Sequence, residues 1–172
     1  MYPAQQESEF KGSLKDNTIS IRLYGIDAPE LKKNANDYPS MPFAEEAKAR
    51  MSDQAKGKVV GVKLLDKDQY GRVVGKVTTT NTRTDLSMDL LRYGYASLYK
   101  GKGANYDGNL DQMLNEINNA KKNRLGIWSN GVENAQSPAE YKRKMKAKAR
   151  EQAAAAAVSS SFVPTDLFQI AK

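Results

Sequence analysis

The chain contains no cysteine and no histidine. Disulfides, thiolate nucleophiles, Cys/His zinc centres, Ser-His-Asp triads and imidazole acid–base chemistry are excluded together. There is also no apolar run near the ~18 residues that a transmembrane helix needs. The opening stretch, Met1 to Gly12, is polar and lacks an apolar core, so it is not expected to act as a secretory signal. Compartment stays open. Any catalysis must run on carboxylates, Arg, Lys, Tyr or Ser/Thr. What the chain does have is positive charge: 27 basic against 20 acidic residues, a net charge of +7 and a pI near 9.4. That balance suggests a polyanionic partner, nucleic acid ahead of a membrane surface, although a merely soluble basic protein has it too. At 172 residues the chain fits one domain and an appendage, with enough length to bury a core unaided.

Periodicity sketches the organisation. Residues 1–17 form a polar lead-in, 18–130 a single domain, and 131–172 a basic helix and tail. Thr18 to Ile26 alternates and predicts a strand, with Ile19, Ile21 and Leu23 on one face and Ser20, Arg22 and Tyr24 on the other. Phe43, Ala47, Met51 and Ala55 recur every four residues and predict a helix over 42–55. Lys58 to Leu65 and Arg72 to Thr79 are Val-rich and flank an Asp-rich turn ending in Gly71, which predicts a hairpin. Ser87 to Tyr93 reads as a short helix stopped by Gly94, and Tyr95 to Tyr99 as a brief strand. Asn109 and Gln112 suggest a capping box for a helix carrying Leu110, Met113, Leu114 and Ile117. Ser137-Pro138-Ala139-Glu140 is a stronger helix start, with Ser at the cap, Pro next and Glu three residues on. The helix it opens reaches about Ala157 and has only a narrow apolar stripe of Tyr141, Met145 and Ala149, so it is expected to be mostly solvated. Ser159 to Lys172 reads as a tail.

Two places collect polar groups that a core does not need. One is Arg22 with Asp27 and Glu30 around the end of a strand. The other is Asp68, Tyr70 and Arg72 around the hairpin turn. Phosphodiester hydrolysis requires a cation to neutralise the pentavalent transition state, a carboxylate to hold a metal, and a group that activates or positions water. Arg22, Arg72, Asp27 and Glu30 supply these types, and a site of carboxylate and carbonyl oxygens suits a hard cation such as Ca²⁺. Each residue also has an ordinary role: a strand arginine pairing with a surface neighbour, a turn at Asp27-x-Pro29-Glu30, a plain hairpin loop at Asp68 to Gly71.

Longer segments carry a resemblance. Ile21-Arg22-Leu23-Tyr24-Gly25-Ile26-Asp27-Ala28-Pro29-Glu30 and Asp68-Gln69-Tyr70-Gly71-Arg72-Val73-Val74 look like the first two signatures of the staphylococcal-nuclease (thermonuclease-like) superfamily. Leu90-Leu91-Arg92-Tyr93-Gly94-Tyr95-Ala96 and Ala120-Lys121-Lys122-x-x-Leu125-Gly126-Ile127-Trp128 resemble the third and fourth. The four stand in the family's order. Phe43-Ala44-Glu45-Glu46-Ala47 and Ser137-Pro138-Ala139-Glu140-Tyr141 look closest to the fungal probable endonucleases of that superfamily.

The resemblance implies an α+β fold: an OB-type five-stranded β-barrel with three helices, here followed by a C-terminal basic helix. It implies Ca²⁺-assisted hydrolysis of DNA and/or RNA. Arg22 and Arg72 match the phosphate-binding arginines, Asp27 a Ca²⁺ ligand, and Glu30 the carboxylate that activates or orients water. Ala28 replaces the usual Thr, whose ligand is its backbone carbonyl. Tyr99 stands where family aromatics stack on a base, or else caps the barrel. Lys142, Arg143 and Lys144 open a run of six basic residues in nine up to Arg150, either solvated or in contact with phosphates. One feature departs: the family has two strands before the Arg22 strand and a turn between them that supplies a further Asp ligand. Nothing before Thr18 resembles that turn; Glu7, Glu9 and Asp16 are carboxylates outside it. The first two barrel strands are therefore expected to be missing from this chain. The alternative reading is a non-catalytic nucleic-acid-binding or scaffold module that kept the fold and lost the metal site.

Overall fold

The computed structural model describes residue 13 and residues 17–34 and 38–161. The carboxylates Glu7, Glu9 and Asp16 lie outside them, as do the lead-in up to Gly12 and the tail from Phe162. The elements, in chain order, are β1 (Ile21–Leu23), β2 (Ile26–Asp27), α1 (Ala44–Ala55), β3 (Val60–Lys67), β4 (Val73–Thr79), α2 (Leu86–Arg92), β5 (Ser97–Leu98), α3 (Leu110–Lys122) and α4 (Pro138–Ser161), with two 3₁₀ turns at Gly126–Trp128 and Val132–Asn134. The result is an α+β fold. Its strands form a three-stranded sheet in the order β1-β4-β3 and a separate pair β2-β5, and no closed barrel is formed among the described residues. No strand precedes Ile21 among them.

The single strand expected over 18–26 is two short strands. Gly25, with φ +67°, turns the chain between them, and its missing side chain makes room for Met113 and Tyr106. The turn rotates the faces. Ile19, placed by alternation with Ile21 and Leu23, is 67% exposed, while Tyr24, placed beside Arg22, is fully buried. Tyr24 is then stitched to the start of α2. Its hydroxyl donates to Asp85 Oδ2 at 2.6 Å, and its carbonyl accepts from Ser87 Oγ at 3.0 Å. Burial, then the bond to Asp85, pushes the phenol pKa far above its ordinary value. Asp85 also caps α2, accepting from the amides of Ser87 and Met88.

The core lies between the sheet, α2 and α3. Tyr24, Ile26, Val74, Leu90, Leu91, Ala96, Met113, Ile117, Ala120 and Trp128 form one buried cluster. Arg50 of α1 reaches into it, gripping the buried Asp89 with Nε and Nη2, both at 2.7 Å. Arg92 holds Glu116 on α3 in the same bidentate way. The two motif segments around Gly94 and Gly126 meet back to back. Both residues have positive φ, and a Cβ on either would run into the other's turn: Leu125 carbonyl for Gly94, Gly94 carbonyl for Gly126. Ile127 N–H donates to the Gly94 carbonyl at 2.9 Å.

The hairpin β3–β4 forms as expected, with a bulge between Leu64 and Asp66 that turns Leu65 toward the core. Beyond it β3 is an edge, and Val62 and Leu64 remain exposed. The expected cap of α3 does not form. Asn109 makes no side-chain cap bond and instead donates to the carbonyls of Tyr106 and Asp107, which fixes the preceding turn. The box at Ser137 does form: Glu140 Oε2 accepts from the Ser137 amide at 2.9 Å, and the Glu140 amide donates to Ser137 Oγ at 3.2 Å. The helix it opens runs on through Ser161, past the expected start of the tail. Its N-terminal turn docks: Pro138 is fully buried and Tyr141 Oη donates to the Pro39 carbonyl at 3.0 Å.

Candidate phosphate and metal site

The ladder brings the two arginines together. Strands β1 and β4 run parallel with Arg22 opposite Val74, and Arg72 stands two residues before Val74. Side chains two apart share a sheet face, so Arg22 and Arg72 become diagonal neighbours on one face. Both line a cleft of about 440 Å³ with Asp66, Asp68, Tyr70, Tyr99 and Lys102.

Each arginine is held by an aromatic ring or a carboxylate. The Arg22 guanidinium lies 4.0 Å above the Tyr99 ring. Tyr99 is itself fixed: its amide donates to the Gly25 carbonyl at 2.9 Å and its hydroxyl to the Lys102 carbonyl at 3.2 Å. Arg72 Nε and Nη2 both lie 2.7 Å from Asp68 Oδ2. Asp68 Oδ1 closes the turn by accepting from the amides of Tyr70 and Arg72. Burial alone would raise the Asp68 pKa. The bond from the Arg72 side chain, then those from the two amides, outweigh it and hold the carboxyl below its ordinary range. A guanidinium has five N–H donors, so Arg72 keeps donors for a ligand after pairing.

Asp27 and Glu30 are not among the residues lining this cleft, but the charges of Arg22 and Arg72 act on Asp27. Asp27 ends β2 opposite Ser97 of β5. Partial burial raises its pKa; Arg22 opposes the rise, the neighbouring Glu30 adds to it, and Lys142 and Arg72 oppose it. Asp27 thus lies within the electrostatic reach of Arg22, Glu30, Lys142 and Arg72. Pro29 between Asp27 and Glu30 is buried, and the Glu30 carbonyl accepts from the Met41 amide at 2.7 Å, which ties this loop to the start of α1. Glu30 is reached from α4: Lys142 Nζ lies 3.8 Å from Glu30 Oε1.

Of the residues singled out in sequence, Arg22, Asp27, Glu30, Arg72, Tyr99 and Lys142 converge, with Ala28 exposed between the two carboxylates. Arg143 and Lys144 do not. They are exposed and line a different hollow with Glu133 and Glu140, because successive helix residues point about 100° apart. Trp128 packs in the core. The cluster of Asp68, Tyr70 and Arg72 expected at the hairpin turn does line the cleft, whereas sequence reasoning gave Lys102 no place in it. Tyr70 is three-quarters exposed beside Arg72.

Asp27, Glu30 and the Ala28 carbonyl are hard oxygen donors, which fits Ca²⁺ in kind. In number they are few. No three acidic side chains gather around a common point among the described residues, so most of the 6–8 oxygens that Ca²⁺ takes would come from water and a bound phosphate.

Two guanidiniums on one face of a small sheet, in an α+β domain, set the class of fold and site. Comparison with known proteins places it more closely. Residues 20–130 match the staphylococcal nuclease homologue family, and the chain belongs to that family. It is similar to a protein of Komagataella phaffii named probable endonuclease LCL3, at 42% identity over 76% of this chain and 57% of that protein. It is also similar to endonuclease Htp3 of Saprolegnia parasitica, at 38% identity over 81% of this chain and 65% of the relative. Probable endonuclease LCL3 of Schizophyllum commune is 40% identical over 76% of this chain and 47% of its own length. The chain thus spans about half to two thirds of these relatives. Among the described residues no helix is long and apolar enough to cross a membrane.

Proposed function

We propose that the chain is the nuclease unit of a Ca²⁺-dependent endonuclease that hydrolyses phosphodiester bonds of DNA and/or RNA. The observation that carries this reading is the placement of Arg22 and Arg72 on one sheet face and in one cleft, with both their charges acting on Asp27. Family membership and endonuclease-named relatives support it. The reading includes the OB-type barrel, of which the five short strands supply part.

In this mechanism Arg22 and Arg72 grip the non-bridging oxygens of the phosphate. Their stacking on Tyr99 and pairing with Asp68 hold them in position before substrate arrives, so little reorganisation is needed as charge grows. Glu30 takes the proton of the attacking water at its carboxylate, and Lys142, 3.8 Å from Glu30 Oε1, positions that carboxylate. Asp27 and the Ala28 carbonyl would hold the cation. When bound, Ca²⁺ supplies further neutralisation of the phosphate and acidifies water. Tyr99 offers its ring edge to a base and Lys142 its ammonium to a phosphate. Cleavage of single-stranded DNA or RNA should be lost in excess chelator and restored by Ca²⁺; cleavage undiminished in chelator would rule out the metal role of Asp27.

A second reading, a nucleic-acid-binding module without catalysis, is favoured by the small number of converging carboxylates among the described residues. It requires binding without turnover at any Ca²⁺ concentration.

A further inference from the structure

Helix α4 leaves the domain as a basic rod. Every residue from 146 to 157 is exposed, and these twelve residues would extend ~18 Å at helical rise. Among the described residues its first turns anchor it to the body, where Tyr141 packs edge-on against Tyr38 at 6.2 Å and bonds the Pro39 and Ser40 carbonyls. Just beyond this anchor a second cleft of about 530 Å³ opens between the Tyr38-Pro39 loop and the helix. Lys146, Lys148, Gln152 and Met145 line its helical wall, and among the described residues no carboxylate lines it. The cleft thus combines two ammonium groups, an aromatic ring and an apolar floor.

Its position matters as much as its lining. Lys142 touches Glu30, and Lys146 stands one helical turn further along the same face. A chain leaving the site past Glu30 therefore meets Lys142, which pairs with that carboxylate, and one helical turn on meets Lys146. We propose that the Tyr38–α4 cleft is a second subsite for single-stranded polynucleotide, holding nucleotides that flank the bond to be cut. Lys146 and Lys148 take its phosphates, and Tyr38 packs against a base. A single strand is specified because only unstacked bases present a face to an aromatic ring. A membrane surface is disfavoured because the apolar stripe of α4, begun by Tyr141 and Met145, faces the loop. The proposal rests on the nuclease reading for the chemistry at Glu30, and on the cleft alone for binding.

The test is binding of the full chain, in chelator so that nothing is cut, to labelled oligothymidylates of about 3 and about 12 nucleotides. Lys146→Ala/Lys148→Ala should weaken the longer oligonucleotide about tenfold and reduce its salt slope by ~1.4, two contacts at ~0.7 each. The shorter one should bind as before. Both lysines are exposed, so folding is not at stake. Tyr38→Ala should weaken the longer ligand and Tyr38→Phe should not. Equal losses for both lengths, or no loss for either, overturn the subsite. So does a double variant that loses binding only to phosphatidylserine vesicles, since α4 would then serve a lipid surface. Cleavage is read separately with Ca²⁺: length-dependent binding with no cleavage of either oligonucleotide overturns the nuclease reading and leaves the subsite standing.

Discussion

Helix α2 buries every residue from Leu86 to Leu91, whereas strand β3, one residue longer, fully buries none. The difference divides labour within the domain. Helices α2 and α3, with Trp128, supply most of the core cluster, and α2 carries the buried Asp89 that Arg50 of α1 grips. The strand ends hold the charges. The four sequence motifs divide the same way. The two around Arg22 and Arg72 contribute side chains to the cleft, while the two around Gly94 and Gly126 pack against each other. A family signature thus spans cleft-lining and packing residues alike, and only the structure sorts them.

This division can be broken at either end. Arg50→Ala leaves Asp89 charged and unpaired in the core and should cost about 3 kcal/mol, read as a lower urea midpoint. Activity per folded molecule should hold; a parallel loss of kcat would couple the core to the site. Glu30→Gln and Arg72→Ala should do the reverse, each cutting turnover by ~10²-fold or more while the urea midpoint stays put. Substrate binding should fall far less, and Arg72→Lys should not rescue, because an ammonium lacks the planar fork. Should Arg72→Ala change binding alone, the non-catalytic reading wins.

Two smaller effects sharpen the contrast. Ser137→Ala removes a capping partner and should cost about 1 kcal/mol, confined to α4 and seen as faster amide exchange in its first turns. Asp68 tests acid sensitivity at the site. Its carboxyl is depressed in the fold, so the stability it contributes is present above its unfolded pKa of about 4 and is lost as pH falls through the lower folded value. The Tm difference between wild type and Asp68→Asn should therefore be constant near neutrality and shrink below about pH 4. A difference that grows on acidification would mean Asp68 is not stabilised by Arg72.

Local order was legible. The hairpin, the helices and the Ser137–Glu140 box followed from spacing because each depends on residues a few positions apart. Arg22 and Arg72 were recognisable by type, and their approach follows from one parallel register. The turn at Gly25 was hidden because alternation runs right up to it, while its left-handed backbone and its contact with Met113 and Tyr106, which together require a glycine, appear only in the fold. Asn109 had two uses for its amide, and the preceding turn took it. Lys142 could not be told from Arg143 and Lys144, since what separates them is the seating of Tyr141 on the Pro39 and Ser40 carbonyls.

The contact of Gly94 with Gly126 has a genetic consequence. Each position is closed to a side chain by the other's backbone, so a methyl at either one forces the same separation of the two turns. Once that separation is made, the second methyl has little left to displace. Gly94→Ala and Gly126→Ala should therefore be strongly epistatic, the double variant far less damaged than the sum of the singles. Neutral drift reaches the double variant only through a single one, so both glycines are held in place by the cost of the intermediate.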